Sequence, residues 1–485
     1  MDTDTTRWLK LRSGSDIRTH AEALTDAICE RIGYAFACML AQRLKTTPDR
    51  LLIAVGRDAR ESGQRIKAAL VRGITAADSD VIDGGQCAVG ALFSRVARPE
   101  RDHPAHGAVM VTGGDTPVTL NGFKFLTAKG GLTEADVALM LRMAAASEVP
   151  ERLVTKRDLM ADYREFLRGE AARLLVDDAL KPLLGLYVAV DDASIGGRFF
   201  AALLEDLGAD VERVPDERME AEVPRLGADM GLSFDEDCVR AWVYDPRGCC
   251  IDGNRLIALV AAMLLEQKPG LTFVTDSVTS TGLSAFIAEW GGTHYRFKRG
   301  YRNVINEAVR LNAEGIDCPI AIETTGHAAF RDNAFLDDGI YLALRVACEA
   351  LDCKREGKTV FDPLADLSEP VEARTLRLNI LDEEDPAASS QEVVEIILSH
   401  TLENPEWQMA SDSREGVRIT FNLDGGVNNA WFQLRMSVHD PIMALAAESD
   451  VPGGVKRVLT ALYGLIRDTE LLDLEPLKKA ISEET

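Results

Sequence analysis

The sequence predicts an α/β protein in which three successive α/β units are followed by one α+β unit. Short apolar runs alternate with amphipathic helical stretches along most of the 485-residue chain. The C-terminal part breaks this rhythm, since three strand-like segments there come before a single helix. Alternation of this kind is typical of parallel strands covered by helices. A chain of this length is also too long for one ordinary hydrophobic core.

In chain order, four strand-like runs each come before a predicted helix. The pairs are LLIAV at 51–55 with a helix at 62–76, AVMVT at 108–112 with 133–147, LYVAV at 186–190 with Gly197 to Leu207, and LTFVT at 271–275 with Gly282 to Trp290. The segment Thr133-Glu134-Ala135-Asp136 is a cap-like start for the second of these helices. We expect parallel pairing where such units adjoin.

The C-terminal part has a different predicted order of strands and helices. Its predicted strands are VRITFNLDG, NAWFQLRMS and IMALAAES, and its predicted helix covers 452–467. Polar, proline-bearing stretches separate the units at 147–157 and 354–374, and Ile251-Asp252-Gly253-Asn254 marks a further break. The predicted domains are therefore 1–150, 151–255, 256–368 and 369–485, each of ordinary domain size.

The charge of the chain excludes some classes of partner. With 78 acidic and 54 basic residues, the net charge is −24. Such a surface repels nucleic acid and anionic membranes, so neither is an expected partner. Any phosphate site must therefore be built from local arginine, lysine and backbone N–H groups. No sequence feature indicates an oligomeric state.

The nine cysteines indicate a reducing compartment. Their number is odd, and no CxxC pair is present. We expect free thiols, as in the cytosol. The N-terminal residues lack the apolar segment of a signal peptide. No apolar run approaches the roughly 20 residues that span a bilayer. We therefore expect a cytoplasmic protein.

One loop carries the first functional motif. The apolar strand Val109-Met110-Val111 runs into Thr112-Gly113-Gly114-Asp115-Thr116-Pro117, and Asn121-Gly122-Phe123-Lys124 follows. The loop resembles the catalytic loop of the α-D-phosphohexomutases, which usually reads T-A-S-H-N-P followed by N-G-x-K. The resemblance places the phosphorylated serine of that family on Gly114 and the adjacent histidine on Asp115. It makes Lys124 a candidate acid or base.

A second loop carries alternate carboxylates, Asp235 and Asp237, after a predicted strand. Convergent carboxylate oxygens are what Mg²⁺ prefers. The phosphohexomutases read D-G-D-x-D-R here, and their three aspartates hold the metal. In this chain the third position is Val239 and the arginine is Arg240. The resemblance thus implies Mg²⁺ as cofactor, held more weakly than in the family. An acidic surface loop would show the same residues.

The same segment, Asp235 to Val239, also matches the DxDx[TV] pattern of haloacid-dehalogenase-type phosphatases. In that interpretation Asp235 would be the nucleophile. Asp337 and Asp338 would be the later acidic pair.

Two further motifs resemble substrate-binding loops of the phosphohexomutases. Glu323, Thr325 and His327 match the sugar-binding E-x-S-G-H. Upstream, the basic stretch 298–303 makes Lys298 and Arg302 candidate substrate ligands. The run R-x-S-x-H-D-P resembles a phosphate-clamping loop, and its candidate ligands are Arg435, Ser437 and His439.

The N-terminal part carries the last two motifs. Gly14 to Arg18 resembles the opening segment of the family, and Gly56 to Gly63 resembles its G-R-D-x-R-x-S-G. The resemblance makes Arg18 and Arg60 candidate substrate ligands. It makes Arg57 a candidate catalytic residue beside the catalytic loop.

The motifs stand in family order from about residue 12 to residue 450. The resemblance implies three mixed-sheet α/β domains and a C-terminal α+β domain around a central cleft. It implies an isomerase of carbohydrate metabolism, an intramolecular phosphotransferase of the phosphoglucomutase and phosphomannomutase type. Its expected partners are hexose phosphates such as glucose or mannose 1- or 6-phosphate.

The departures from the family pattern point to lost or strongly reduced turnover. The groups that would move phosphate are changed at Gly114, Asp115 and Val239. Removing a nucleophile that works as part of a unit costs on the order of 10⁴–10⁶ in rate. The prediction is a phosphosugar-binding protein with little or no mutase activity. One alternative is an active mutase with a relocated acceptor at Asp115, Thr112 or Thr116, and the other is a phosphatase that uses Asp235.

Overall fold

The computed structural model describes residues 3–98, 104–149, 155–156, 158–175, 180–382, 384–437 and 440–483. The chain forms two compact units. One comprises Met1–Asp252 and Gly326–Asp362, and the other comprises Gly253–Thr325 and Pro363–Thr485.

The first unit combines mixed sheets with covering helices. Its helices are Thr3–Leu9, Asp26–Leu44, Gly63–Ala76, Val89–Ala97, Glu134–Ala146, Leu159–Leu174, Ile195–Asp206, Met219–Leu226 and Gly339–Arg355. Its strands are Arg12–Ser13, Asp16–His20, Leu52–Arg57, Asp80–Gln86, Gly107–Val111, Leu120–Thr127, Gly130–Gly131, Thr155–Lys156, Tyr187–Asp191, Asp210–Val214, Met230–Phe234, Ala241–Tyr244, Cys250–Ile251, Ala328–Phe330 and Leu336–Asp337.

The N-terminal sheet of this unit carries the first functional loop. Leu52–Arg57 pairs in parallel with Asp80–Gln86 and with Gly107–Val111. Leu120–Thr127 then pairs antiparallel with Gly107–Val111 and with Asp16–His20. The loop between Val111 and Leu120 therefore joins two neighbouring antiparallel strands. This geometry anchors both ends of the loop on the sheet.

The core of this sheet is aromatic and aliphatic. Phe36, Phe123 and Phe125 are fully buried, and the rings of Phe36 and Phe125 lie 5.1 Å apart. Helices Asp26–Leu44 and Glu134–Ala146 supply much of the same apolar cluster. The sequence analysis missed Asp26–Leu44, because this helix is buried over most of its surface and shows no clear polar face.

The second sheet of the unit carries the acidic loop. Tyr187–Asp191 pairs in parallel with Asp210–Val214 and Met230–Phe234. Met230–Phe234 pairs antiparallel with Ala241–Tyr244. Residues 235–240, which form the acidic loop, are thus the turn of a β-hairpin. Both ends of the acidic loop are held by adjacent strands.

The second unit contains parallel strands and a separate antiparallel sheet. Its helices are Gly253–Gln267, Thr281–Glu289, Tyr301–Ala313, Pro386–Glu403, Gly454–Ile466 and Glu475–Ser482. Its strands are Thr272–Thr275, Thr293–Arg296, Ile320–Ile322, Glu372–Asn379, Gln408–Met409, Val417–Phe421, Ala430–Met436 and Ile442–Ser449. Thr272–Thr275 is the middle strand of a parallel set, with Thr293–Arg296 on one side and Ile320–Ile322 on the other.

The C-terminal sheet is antiparallel throughout its described strands. Its strand order is Glu372–Asn379, Ile442–Ser449, Ala430–Met436, Val417–Phe421, Gln408–Met409. Helices Pro386–Glu403 and Gly454–Ile466 share its apolar core. The predicted fold class, mixed-sheet α/β units followed by an α+β unit, is confirmed. The four domain boundaries stay a prediction.

Most predicted elements lie within a few residues of the observed ones. The helix predicted at 62–76 is Gly63–Ala76, and the one predicted at 452–467 is Gly454–Ile466. All nine cysteines are free, as predicted. In the described part of the chain, every helix is too short or too polar to cross a bilayer.

Candidate functional site

Arg60 holds the loop that contains Gly114. Its Nη1 donates to the carbonyl oxygens of Pro117 at 2.7 Å and Leu120 at 3.0 Å. Its Nη2 donates to those of Gly114 and Thr116, both at 2.7 Å. These four bonds fix the path of the backbone across the whole turn.

Asp58 completes the environment of Arg60. This carboxylate is fully buried. Its Oδ2 accepts from Arg60 Nε at 3.2 Å and from the Gly113 backbone N–H at 3.3 Å. All five N–H groups of a guanidinium are thus accounted for at Arg60. Arg60 therefore has a structural role here, and its predicted substrate contact would require breaking one of these bonds.

Gly114 lies between a cation and a buried carboxylate. Its φ is +63°, a left-handed conformation that favours glycine. A Cβ at this position would lie 3.7 Å from Arg18 Nη2 and 3.8 Å from Asp237 Oδ2, which is ordinary contact. The position has room for a side chain, and glycine itself carries no oxygen there. Arg18 Nη1 also donates to the Thr112 carbonyl at 2.9 Å, which ties Arg18 to the same loop.

Arg240 joins Asp115 to the acidic loop. Its Nη2 lies 2.9 Å from Asp115 Oδ2, its Nε donates to Asp235 Oδ2 at 2.9 Å, and its backbone N–H donates to Asp235 Oδ1 at 3.0 Å. Partial burial by itself would raise the pKa of Asp115. The charge of Arg240 and the hydrogen bonds to the carboxylate together outweigh burial and lower the pKa of Asp115 below its usual value. Asp115 is therefore ionised at neutral pH.

Burial raises the pKa of Asp235 to about 6, and the charge of Asp237 adds to the increase, whereas Arg240 opposes it. Asp237 is also buried. Its Oδ2 lies 3.5 Å from the Thr112 hydroxyl, which donates to it, and its Oδ1 has no hydrogen-bond partner among the described residues.

These residues do not fit a Mg²⁺ site in their present arrangement. Both oxygens of Asp235 accept from Arg240, which leaves Asp237 Oδ1 as the one orphaned oxygen of this described loop. Val239 is buried and supplies no oxygen from its side chain. Across the described residues, no group of three or more His, Cys, Asp or Glu side chains is arranged to hold a metal. A hard cation would need more oxygen ligands than this loop provides.

His327 lies beside the same arginine. Residues 240 and 327 form an antiparallel backbone bridge. His327 Nδ1 lies 2.7 Å from Asp337 Oδ2, so that a proton on Nδ1 is donated to this carboxylate. Arg57 donates from Nε to Gln64 Oε1 at 3.0 Å. Lys124 is buried, in register with Met110 of the adjacent strand.

In the second unit, Glu323, a predicted sugar ligand, is fixed from two sides. This side chain is buried. Its Oε1 accepts from the Gly300 backbone N–H at 2.6 Å, and its Oε2 accepts from the Thr325 hydroxyl at 3.4 Å. Gly300 lies within the predicted basic stretch, in which Lys298 is exposed and Arg302 is half-buried. Glu323 and Thr325 therefore form one hydrogen-bonded pair.

Arg435 is buried at the end of strand Ala430–Met436. Burial lowers the pKa of its guanidinium, although the nearby Glu415 opposes the shift. Its Nε lies 3.7 Å from Glu415 Oε2. The same Oε2 accepts from the Ser277 hydroxyl at 2.5 Å and from the Arg299 backbone N–H at 3.1 Å.

Ser437 accepts from the backbone N–H of Asp440 at 3.4 Å. His439 lies outside the described residues. The sequence did not predict the contact between Glu415 and Ser277, because 138 residues separate them and no local pattern indicates it.

The structure thus brings the predicted residues into two groups, one in each compact unit. The first contains Arg18, Arg57, Arg60, Gly114, Asp115, Lys124, Asp235, Asp237, Val239 and His327. The second contains Lys298, Arg302, Glu323, Thr325, Arg435 and Ser437.

The two groups correspond to loops of a known family. The family model for "Phosphoglucomutase/phosphomannomutase, alpha/beta/alpha domain I" matches residues 10–149. The corresponding model for domain III matches residues 252–370. The chain belongs to the α-D-phosphohexomutase family.

Relatives of this phosphohexomutase-family chain extend over nearly its whole length. A phosphoglucomutase of Neisseria meningitidis is 25% identical over 472 residues, which cover 92% of this chain and 94% of the relative. A phosphoglucosamine mutase of Xanthomonas euvesicatoria is 28% identical over 466 residues, covering 90% and 94%. A solved phosphoglucomutase/phosphomannomutase family protein from Burkholderia thailandensis superposes with a TM-score of 0.76 at 20% identity, covering 96% and 98%.

Phosphohexomutases generally use Mg²⁺, whereas the acidic loop of this chain lacks an adequate set of free oxygens. The difference from the family is therefore confined to the oxygen ligands of the acidic loop, because the hairpin that carries Asp235 and Asp237 and its surrounding strands are in place.

Proposed function

We propose that this phosphohexomutase-family chain binds hexose phosphates and does not interconvert them at an appreciable rate. The observation that carries the proposal is the environment of Gly114. Its Cβ position points between Arg18 and Asp237 and has no oxygen to accept a phosphoryl group.

The oxygens near Gly114 are poorly suited to replace the missing serine. The Thr112 hydroxyl is buried and accepts from the Gly114 backbone N–H at 2.9 Å. The Thr116 hydroxyl donates to the Gly113 carbonyl at 2.9 Å. Without an acceptor, we expect a rate loss on the order of 10⁴–10⁶.

The charge around Gly114 also opposes phosphoryl transfer. Arg240 would be a natural partner for a phosphoryl group, but its guanidinium is shared by the carboxylates of Asp115 and Asp235. A phosphoryl dianion placed there would have to displace a carboxylate or lie beside it. Like charges at such distances repel strongly in a partly buried site.

Binding groups remain in the second unit. Glu323 and Thr325 offer a carboxylate and a hydroxyl, which are suited to the hydroxyl groups of a sugar. Arg435 and Ser437 are suited to the phosphate. The names of the relatives, phosphoglucomutase and phosphoglucosamine mutase, agree with a hexose phosphate as the ligand. We expect glucose or mannose 1- or 6-phosphate to bind without requiring Mg²⁺, in a cytoplasmic protein whose thiols are free.

The test combines calorimetry with a coupled mutase assay. We expect saturable binding of glucose 1-phosphate, equal in Mg²⁺ and in EDTA, with turnover at least about 10⁴-fold below that of an active phosphoglucomutase. Arg435→Gln should weaken binding at least about tenfold, as loss of a charge-assisted bond would. Arg457→Gln, which alters an exposed arginine paired with Asp424, is the matched control and should bind normally. Mutase activity at an ordinary rate would overturn the proposal.

A second candidate function is a mutase with Asp115 as the phosphoryl acceptor. Its side chain is 66% exposed and carries a lowered pKa, so the carboxylate is accessible and ionised. Intact-mass measurement after incubation with glucose 1,6-bisphosphate would detect an aspartyl phosphate. Asp115→Asn should abolish that adduct, and an adduct that survives would point to Thr112 or Thr116 instead.

We do not propose phosphatase chemistry at Asp235, because both of its oxygens accept from Arg240 and the residue is buried. An Asp235→Asn comparison in a phosphatase screen would reveal such an activity.

A further inference from the structure

A separate cavity of about 280 Å³ lies in the first unit, between helix Thr3–Leu9 and the start of helix Asp26–Leu44. It is lined by residues from the N-terminal part of the chain alone. Its walls contain none of the residues assigned above to the loop of Gly114 or to the acidic loop. The cavity is therefore distinct from the proposed hexose phosphate site.

Two arginines line this cavity, Arg7 and Arg31. Within the described part of the chain, neither guanidinium forms an ion pair, although the protein has 78 acidic and 54 basic residues. By contrast, Arg65 and Arg72 both form ion pairs with Asp26. Asp26 lies on the same helix as Arg31. Among the described side chains, none forms an ion pair with the two cavity arginines, which are suited to an anion.

Apart from Thr25, whose hydroxyl accepts from the Ile28 backbone N–H, the rest of the wall is apolar. Trp8, Leu11, Ala27 and Ile28 contribute hydrocarbon or indole surface. Trp8 is 6% exposed and belongs to the hydrophobic core of the N-terminal sheet, so this wall is anchored. A hexose phosphate would leave its hydroxyl groups unpaired against such a surface, which is unfavourable. The chemistry of the wall therefore favours an apolar body.

We propose that this cavity binds a small aliphatic carboxylic acid, with its carboxylate at Arg7 and Arg31 and its hydrocarbon chain against Trp8, Leu11 and Ile28. Guanidinium groups bind carboxylates through charge-assisted and often bidentate hydrogen bonds. Burial of each methylene adds about 0.8 kcal/mol of favourable transfer free energy. The cavity volume lies just below the range of roughly 300–1,000 Å³ found for drug-sized ligands, which suits a short chain.

Octanoate is the probe, titrated into the full-length protein by calorimetry. We expect saturable binding, with octanol at least about tenfold weaker because it lacks the charge that pairs with arginine. Arg7→Gln and Arg31→Gln should each weaken octanoate binding by about tenfold. Arg65→Gln removes a nearby arginine that pairs with Asp26 and should leave octanoate binding unchanged.

Filling the cavity is an independent test. Ala27 is exposed on its helix and lines the cavity, so Ala27→Leu should fold normally and block octanoate. Circular dichroism would verify the fold of each variant. Three results would overturn the proposal: no saturable binding of octanoate, equal binding of octanol, or octanoate affinity that survives both arginine substitutions and Ala27→Leu.

Discussion

At the scale of single residues, the Gly114 loop depends on one buried arginine. Arg60 donates to four backbone carbonyls and to Asp58, and its side chain is 2% exposed. Lysine has three donors on a flexible stem and lacks the planar fork of arginine. The loop would therefore lose several bonds at once if Arg60 were replaced.

We predict that Arg60→Lys lowers the free energy of unfolding by about 2–4 kcal/mol, because buried acceptors are left without donors. Urea denaturation of the purified variant measures this change. Arg65→Lys is the matched control, since Arg65 is exposed and paired with Asp26, and it should change the free energy by less than about 0.5 kcal/mol. A similar loss in both variants would contradict a special role for Arg60.

The two glycines of this loop differ in what a side chain would meet. A Cβ at Gly113 would lie 2.5 Å from the guanidinium carbon of Arg60, whereas a Cβ at Gly114 meets nothing closer than 3.7 Å. Gly114→Ala should therefore cost about 1–2 kcal/mol through its positive φ alone. Gly113→Ala should cost about 2–4 kcal/mol, since the packing around a buried arginine must shift. Thermal unfolding of the two variants would test whether Gly113→Ala is the more destabilising. Equal losses of stability would refute this prediction.

At the scale of secondary-structure elements, helix Gly339–Arg355 begins at an aspartate that is buried. Asp338 accepts from the Tyr341 backbone N–H at 3.1 Å, and the Tyr163 hydroxyl, which donates its one proton to this carboxylate, lies 2.7 and 2.6 Å from the two oxygens. Asn333 Nδ2 also donates to it at 2.9 Å. Burial raises the pKa of Asp338 to about 6 although these bonds oppose the shift. One side chain thus caps the helix and satisfies buried donors from other elements.

We predict that Asp338→Ala lowers the free energy of unfolding by about 2–4 kcal/mol, combining a lost cap with an unpaired buried tyrosine hydroxyl. Helix Pro386–Glu403 offers the comparison, because its cap Asp385 is exposed and bonds the Ala388 backbone N–H at 3.0 Å. Asp385→Ala should cost only about 1 kcal/mol. Chemical denaturation of both variants checks the difference, and an equal cost would mean that the buried contacts of Asp338 contribute nothing.

At the scale of the whole molecule, a histidine held neutral in the second unit makes stability depend on pH. His294 Nε2 lies 2.7 Å from the Thr275 hydroxyl, and Nδ1 lies 2.7 Å from the Ser284 hydroxyl. Burial lowers the pKa of His294 well below its usual value, and the charges of Arg296 and Arg418 lower it further. The folded protein therefore resists a proton that the unfolded chain accepts near pH 6.5.

The direction of the pH dependence follows from the difference in the pKa of His294 between the folded protein and the unfolded chain. Below about pH 6.5 the unfolded chain binds the extra proton, so the free energy of unfolding falls as the pH falls. Relative to His294→Gln, the natural protein should lose up to about 1.4 kcal/mol per pH unit from this one group. Denaturation curves between pH 7 and pH 5 would measure it. Parallel pH profiles for the two proteins would show that His294 is not held neutral.

Local patterns predicted most of the fold. Apolar runs followed by amphipathic stretches located strands such as Leu52–Arg57 and helices such as Gly63–Ala76, because hydrophobic periodicity is a property of neighbouring residues. The same patterns missed helix Asp26–Leu44, whose residues are mostly apolar on every side. Family motifs predicted Gly114, Asp235 and Arg435 as site positions, since each motif lies within one loop.

Contacts between distant segments were beyond the reach of the sequence. Arg60 was predicted as a substrate ligand, but its donors reach carbonyls 54 to 60 residues away. The ion pair between Asp115 and Arg240 and the contact between Ser277 and Glu415 likewise join remote parts of the chain. Sequence therefore predicted the family, which is confirmed, and the loss of a phosphoryl acceptor at Gly114, which stays a prediction. Tertiary structure decided which charged groups are already occupied, because donors and acceptors are matched by folding rather than by their order along the chain.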